Sequence, residues 1–312
     1  MFDIIIVGGG PAGLTAALNL GRARKRVLLC DAGPRRNAAA REIHGFVTRD
    51  GTPPSEFRRI GREQLERYPS VEIRDVQVEE IRGERGAFEV RLSTGVVQAR
   101  RILLCTGMID ELPEIDGFRE LWGHSIFQCP YCHAWEEQDR RFGFLAPGPE
   151  MFDFAVLLRG WTDDVTVLTD GRFAISSEMR ARLAGVQIEE RRIARLSGSE
   201  GRLEAVEFED GGSLPLEVLF ARPPQRHVAV VQALGLALDS GGYVAVGENS
   251  RETSVPGIYA AGDLTTPVQS ATLAAAAGMQ AAARINHDLM VELAASGAIR
   301  PESRHALAGT SG

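Results

Sequence analysis

The chain has 312 residues, 44% of them hydrophobic and 25% charged, with a formal net charge of −7. Such a composition belongs to an ordinary globular protein of two domains, or one large α/β domain. The negative balance gives no support to nucleic-acid binding or anionic membranes, and no apolar run approaches the roughly 18 residues of a membrane span.

No basic leader precedes the first strand-like run, so a cytoplasmic protein is expected. Ile4 to Val7 reads as a buried strand, Gly8-Gly9-Gly10-Pro11-Ala12-Gly13 as a tight turn and Leu14 to Leu20 as a helix. Arg26 to Asp31 then reads as a second strand ending in an acid. In this βαβ setting Gly8, Gly10 and Gly13 let the backbone approach a pyrophosphate at a helix N-terminus, and Asp31 is placed for a ribose hydroxyl. Residues 43–65 read as a loop, holding His44, that feeds a helix. Val71 to Ile73, Val76 to Ile81 and Phe88 to Leu92 read as a strand meander, and Arg101 to Gly107 as a buried parallel strand.

From about Pro113 a second region begins, with its own strand (Arg141 to Leu145), helix (Met151 to Arg159) and strand (Asp164 to Leu168). Its turn, Ala146-Pro147-Gly148-Pro149-Glu150, keeps one glycine and adds a carboxylate where phosphates would approach. Thr169-Asp170-Gly171-Arg172 supplies one arginine and no basic cluster for a 2′-phosphate, so NADPH binding is expected to be poor or absent. The C-terminal third returns to the first pattern. Residues 253–263 form a strand ending at Gly262-Asp263, and Ala271 to Leu289 a small-residue helix with Gly278 suited to close packing. A frayed tail follows from about Ala295.

Residues 127–141, FQCPYCHAWEEQDRR, fit three chemistries: c-type haem attachment, half a zinc site, or a redox dithiol. Haem attachment needs export, and no leader is visible. Zinc needs four ligands, whereas Cys30 and Cys105 sit in apolar strands as buried free thiols would. A permanently reduced structural pair is the bland alternative. Cys129 and Cys132 at a helix start suit thiol–disulfide exchange, one attacking and one resolving. His133 can exchange protons near neutral pH, and Glu136, three residues on, could orient it.

An N-terminal G-G-G-P-A-G, a central C-x-x-C and a late T-S-V-P-G-I-Y-A-A-G-D resemble the low-molecular-weight thioredoxin reductases over about residues 2–292. The resemblance implies two Rossmann-like domains: an FAD domain of 1–113 plus 241–312, and an inserted NAD(P)-binding-like domain of 114–240 carrying the dithiol. It implies that Gly8, Gly10, Pro11, Ala12 and Gly13 hold the FAD pyrophosphate, Asp31 the ribose, and that Val78 lies by the adenine. Thr106 and Gly107 would line the cofactor. Gly262 and Asp263 would meet its ribityl–pyrophosphate part, and Gln269 and Ser270 the flavin pyrimidine edge; His44, by its place in the loop after the first βαβ unit, is a separate candidate to approach the flavin. Cys132 would lie nearer the flavin, and Cys129 would make the mixed disulfide.

Two features depart from those reductases: His133 stands where they carry Asp, and the second glycine loop is degraded. C-P-Y-C-H-x-W-E is closer to a related branch that includes the dithiol oxidases of gliotoxin and holomycin type. The expected function is therefore oxidation of a small-molecule dithiol to a disulfide with oxygen reoxidising FAD, by a homodimer with no metal. The alternatives are a reductase passing electrons from NADPH or ferredoxin to a thioredoxin-like protein, and a non-enzymatic flavin-bound redox sensor.

Overall fold

A computed structural model describes residues 1–33, 36–183 and 185–296; the tail expected beyond about Ala295 lies almost wholly outside these. In chain order the elements begin β1 (Phe2–Val7), α1 (Pro11–Arg22), β2 (Val27–Cys30), α2 (Pro54–Leu65), β3 (Val71–Arg74), β4 (Val78–Glu84), β5 (Ala87–Leu92) and β6 (Gly95–Leu104). They continue β7 (Ile109–Asp110), α3 (Phe118–Leu121), β8 (Ile126–Phe127), α4 (Pro130–His133), β9 (Phe142–Leu145), α5 (Phe152–Leu158), β10 (Val165–Leu168), α6 (Ser177–Arg182) and β11 (Gln187–Glu189). Then come β12 (Ile193–Ser199), β13 (Arg202–Phe208), β14 (Ser213–Pro215), β15 (Val218–Ala221), β16 (Gln225–Arg226), α7 (Ala229–Ala233), β17 (Ile258–Ala260) and α8 (Ala271–Ala295).

The contacts divide the chain into two units. Unit 1 is Met1–Pro34, Arg58–Met108 and His227–Gly312; unit 2 is Arg35–Phe57 and Ile109–Arg226. These crossings fall before the 113/114 and 240/241 boundaries read from sequence, for packing reasons. Val230, Val231 and Leu236 bury themselves with Val78 and Ile81 in a unit 1 core, while Ile109-Asp110 pairs antiparallel with Gln225-Arg226 inside unit 2. Segment 35–57, read as part of the first domain, packs in unit 2: Gly123 sits so close on Ala39 that a Cβ there would clash.

Unit 1 is built on a sheet ordered β3-β2-β1-β6-β5-β4, with β17 also paired to β6. Ile4, Ile5 and Ile6 of β1 are fully buried, as a continuous β-branched run must be in a parallel strand covered on both faces. Helix α1 buries Leu14, Ala16, Ala17 and Leu20, and α8 lies so close to it that a Cβ on Gly278 would strike the Ala12 backbone. Val71 to Ile73 is not part of the meander. As β3 it joins the main sheet in parallel, with Val27 opposite Val71, and only β4, β5 and β6 form the antiparallel run.

Unit 2 carries a parallel sheet ordered β11-β10-β9-β15-β8 and a separate antiparallel sheet β12-β13-β14. β9, α5 and β10 repeat the βαβ arrangement of unit 1, with Phe142 opposite Val165.

Candidate active site

In unit 1 the residues expected to hold a dinucleotide converge at the carboxyl ends of parallel strands, where ligands bind in open α/β sheets. Gly8 adopts φ +111°, and a Cβ there would run into the Cys105 carbonyl oxygen; a Cβ on Gly13 would strike the Gly8 oxygen. Gly10 faces open space, and α1 begins there with Pro11, no side-chain cap and no acid in its first turn. An uncapped helix end behind glycines is a site for a phosphate.

The other expected cofactor residues surround this cradle or support it. Gly262 (φ +87°) lies against Ala12, and Gly107 (φ +63°) follows Thr106 at the end of β6. Gln269 Nε2 donates to the Asp263 carbonyl at 3.3 Å, and the Ser270 hydroxyl caps α8 by accepting from the Leu273 N–H. The Val78 side chain is buried in the core, so only its backbone can face a ligand. Asp31 is buried and already engaged: Oδ1 accepts from Gly33 N–H at 3.0 Å, and Oδ2 accepts from Arg58 Nε at 2.8 Å. A carboxylate has about four lone-pair positions, so capacity for a ribose hydroxyl remains. The set fits FAD.

The dithiol is in unit 2. β8, an edge strand of the parallel sheet, delivers Cys129 to the N-cap of α4, and Pro130 occupies the first turn, where its missing N–H costs nothing. Cys129 and Cys132 form a disulfide with Cα atoms 5.3 Å apart, and both are half-buried. Tyr131 and Trp135 beside them are exposed, at 71% and 68%, and Tyr131 packs edge-on against Trp161 at 5.6 Å. Cys30 and Cys105 are free and buried in unit 1; burial pushes the Cys30 thiol up to about 12 and Cys105 higher still, so neither supplies a thiolate.

His133 stacks on Phe127 with ring centroids 4.3 Å apart. Burial, helped by nearby His44, pushes its pKa down to about 4. The shift favours the neutral ring near pH 7. Glu136 does not turn to His133, because α4 ends at His133 and the shared helical face is lost. It faces His44 Nε2 at 3.5 Å, where Glu42 also lies at 3.4 Å, while Asp50 stands 3.5 Å from Nδ1. His44 thus sits in unit 2 beside the dithiol helix. An open cleft of about 790 Å³, lined by His44, Phe127, His133 and Glu136 among others, runs past this cluster.

The second nucleotide loop is different in kind. The Glu150 carboxylate folds back onto Gly148, occupying the place a side chain there would take, and α5 adds Asp153 in its first turn. Asp170, which follows β10, is buried and accepts from the Ile193 N–H (2.8 Å) and pairs with Arg172 (3.1 Å).

A glycine cradle fit for a flavin dinucleotide and a C-x-x-C disulfide in a second βαβ unit together point one way, and the family model for pyridine nucleotide-disulphide oxidoreductases matches residues 2–281. The chain belongs to that family. Thioredoxin reductase aclD of Aspergillus oryzae is 32% identical over 298 residues, covering 90% of this chain and 94% of that one. Among solved structures, an oxidoreductase from Agrobacterium tumefaciens is 38% identical with a TM-score of 0.87, covering 93% of this chain and 99% of its own. HlmI is 36% identical with a TM-score of 0.88, covering 95% of each. This family member is a thioredoxin-reductase-like oxidoreductase acting on sulfur groups, with FAD as its cofactor.

Sequence spacing did not reveal Arg58 as the partner of Asp31, nor His44 as the neighbour of Glu136, which lies 92 positions on. Only the tertiary fold brings these groups together.

Proposed function

We propose that the protein oxidises a dithiol substrate to a disulfide through Cys129 and Cys132, with oxygen as the final acceptor. The observation carrying this reading is the contrast within unit 2, which presents a disulfide flanked by exposed aromatic rings while its nucleotide loop is closed by Glu150. A substrate thiolate attacks the sulfur of Cys129; the Cys129–Cys132 bond breaks and Cys132 leaves as a thiolate. The substrate's second thiol, as its thiolate, attacks the mixed disulfide and releases Cys129. The product carries a new S–S bond, two protons pass to solvent, and two electrons now reside in the protein dithiol. FAD held at the glycine cradle of unit 1 would supply the two-electron acceptor for that pair. The neutral His133 ring, held by Phe127, has one N–H to offer a sulfur anion and brings no charge of its own.

Tyr131 and Trp135 supply flat apolar surface beside the disulfide, which suits a small ring-bearing dithiol better than a charged one. Unit 1 would bind FAD and unit 2 carry the exchange, within a homodimer. Catalytic oxygen uptake with dithiothreitol, abolished in Cys129→Ser, tests the proposal; no uptake by flavin-loaded protein would overturn it.

The relative named thioredoxin reductase keeps a second reading in view, electron supply from NADPH to a thioredoxin-like protein. Rapid anaerobic bleaching of the flavin by NADPH would favour it.

A further inference from the structure

Arg251 in unit 1 is a half-buried cation without a counter-ion. Its Nη2 donates to Thr265 Oγ1 at 2.7 Å, Thr265 Oγ1 donates to the Gly262 carbonyl at 2.9 Å, and its Nε is buried with no partner. No carboxylate pairs with it among the described residues. Other inward-facing arginines are matched, Arg58 to Asp31, Arg101 to Glu292 and Arg36 to Asp110. Burial depresses its basicity, as expected of a guanidinium paired with nothing.

Its backbone is held in place on both sides. The Arg251 N–H donates to Gly247 O at 2.8 Å, and its carbonyl accepts from Ala260 N–H, at the end of β17, at 3.0 Å. It adopts φ +55°, a left-handed conformation where glycine would cost less, so the fold keeps an arginine at a place that penalises it. Its side chain leads to the glycine cradle: Gly262, reached through Thr265, lies against Ala12.

We infer that Arg251 is the counter-charge for the FAD pyrophosphate, adding a fixed guanidinium to the uncapped N-terminus of α1. Thr265 positions it by accepting from Nη2, leaving the remaining Nη hydrogens for phosphate oxygens. The inference rests on FAD as cofactor and is independent of which way the dithiol reaction runs.

The test is titration of the full-length protein, stripped of flavin, with FAD and separately with ADP, which shares the pyrophosphate and lacks the flavin. Arg251→Met is expected to weaken both at least 30-fold, Arg251→Lys less, and Thr265→Val about 3-fold, with circular dichroism unchanged. Raising the salt concentration should weaken FAD binding less in Arg251→Met than in the parent. Unchanged affinities in Arg251→Met would overturn the inference, as would a loss for FAD with none for ADP, which would move the contact to the flavin end. If Arg251→Met does not fold, a Thr265→Val protein with parental affinity for both ligands would overturn it.

Discussion

The two βαβ units of this chain share their order of strand, turn, helix and strand, yet their turns treat an anion in opposite ways. In the first, Gly8 and Gly13 are forced by backbone contacts, Gly10 opens to solvent, and the helix that follows has neither cap nor acid in its first turn. In the second, Gly148 is in extended conformation (φ −171°), Glu150 covers it, and Asp153 follows. A helix N-terminus attracts phosphate only while its own carboxylates stay away. Fold and turn chemistry are therefore separable: unit 2 keeps the scaffold while its turn carries carboxylates where unit 1 has none.

This contrast can be broken most severely at Gly13. Gly13→Val should cut FAD affinity more than 100-fold and leave a colourless protein, read as flavin absorbance per protein, because its Cβ must displace the Gly8 oxygen. The matched change Gly148→Ala should leave flavin content unaltered, since any residue adopts that backbone and only the Glu150 side chain must move. Equal flavin loss from both would erase the distinction. A smaller effect is expected at Glu150. Glu150→Ala removes one carboxylate from the second loop and should raise NADPH affinity by about 3- to 10-fold, the scale of a single partly screened charge. Equilibrium dialysis against NADPH measures it, and tight binding by the parent protein would show that Glu150 closes nothing.

The last effect is on stability, not on affinity, and concerns His133. Its folded pKa of about 4 lies below the ordinary 6.5, so the unfolded chain takes up the proton first. The stabilising contribution is complete above about pH 6.5, declines on acidification and is gone below about pH 4. It amounts to on the order of 2 kcal/mol, less than the full shift implies because the ring keeps some solvent contact. Urea denaturation of His133→Asn between pH 4 and 7 should lack this part of the slope.

Much of the fold was legible because its signals are local. The Ile4 to Val7 run, the glycines after it and Asp31 lie within one βαβ unit, and Gly13 answers a steric demand five residues away, at the Gly8 oxygen. The C-x-x-C spacing likewise specified its own disulfide. What escaped was long-range or environmental. Val71 to Ile73 carries the alternation of a meander strand, and only pairing with β2 makes it parallel. Glu136 was assigned to His133 by helical spacing, but the helix stops first and His44 arrives from far along the chain. The depressed basicity of His133 comes from its burial, with a contribution from His44, which residue identity does not reveal.

The stacking of His133 on Phe127 also bears on who governs the reaction's dependence on acidity. With a neutral ring beside the disulfide, the protein contributes no ionisation at that position between pH 5 and 8. In the proposed dithiol oxidation, the rise of turnover with pH is then expected to follow the incoming molecule, whose own thiol must ionise, near pH 8.5 for an ordinary thiol. Two substrates of different acidity presented to the same enzyme would trace two displaced profiles, each marking its substrate.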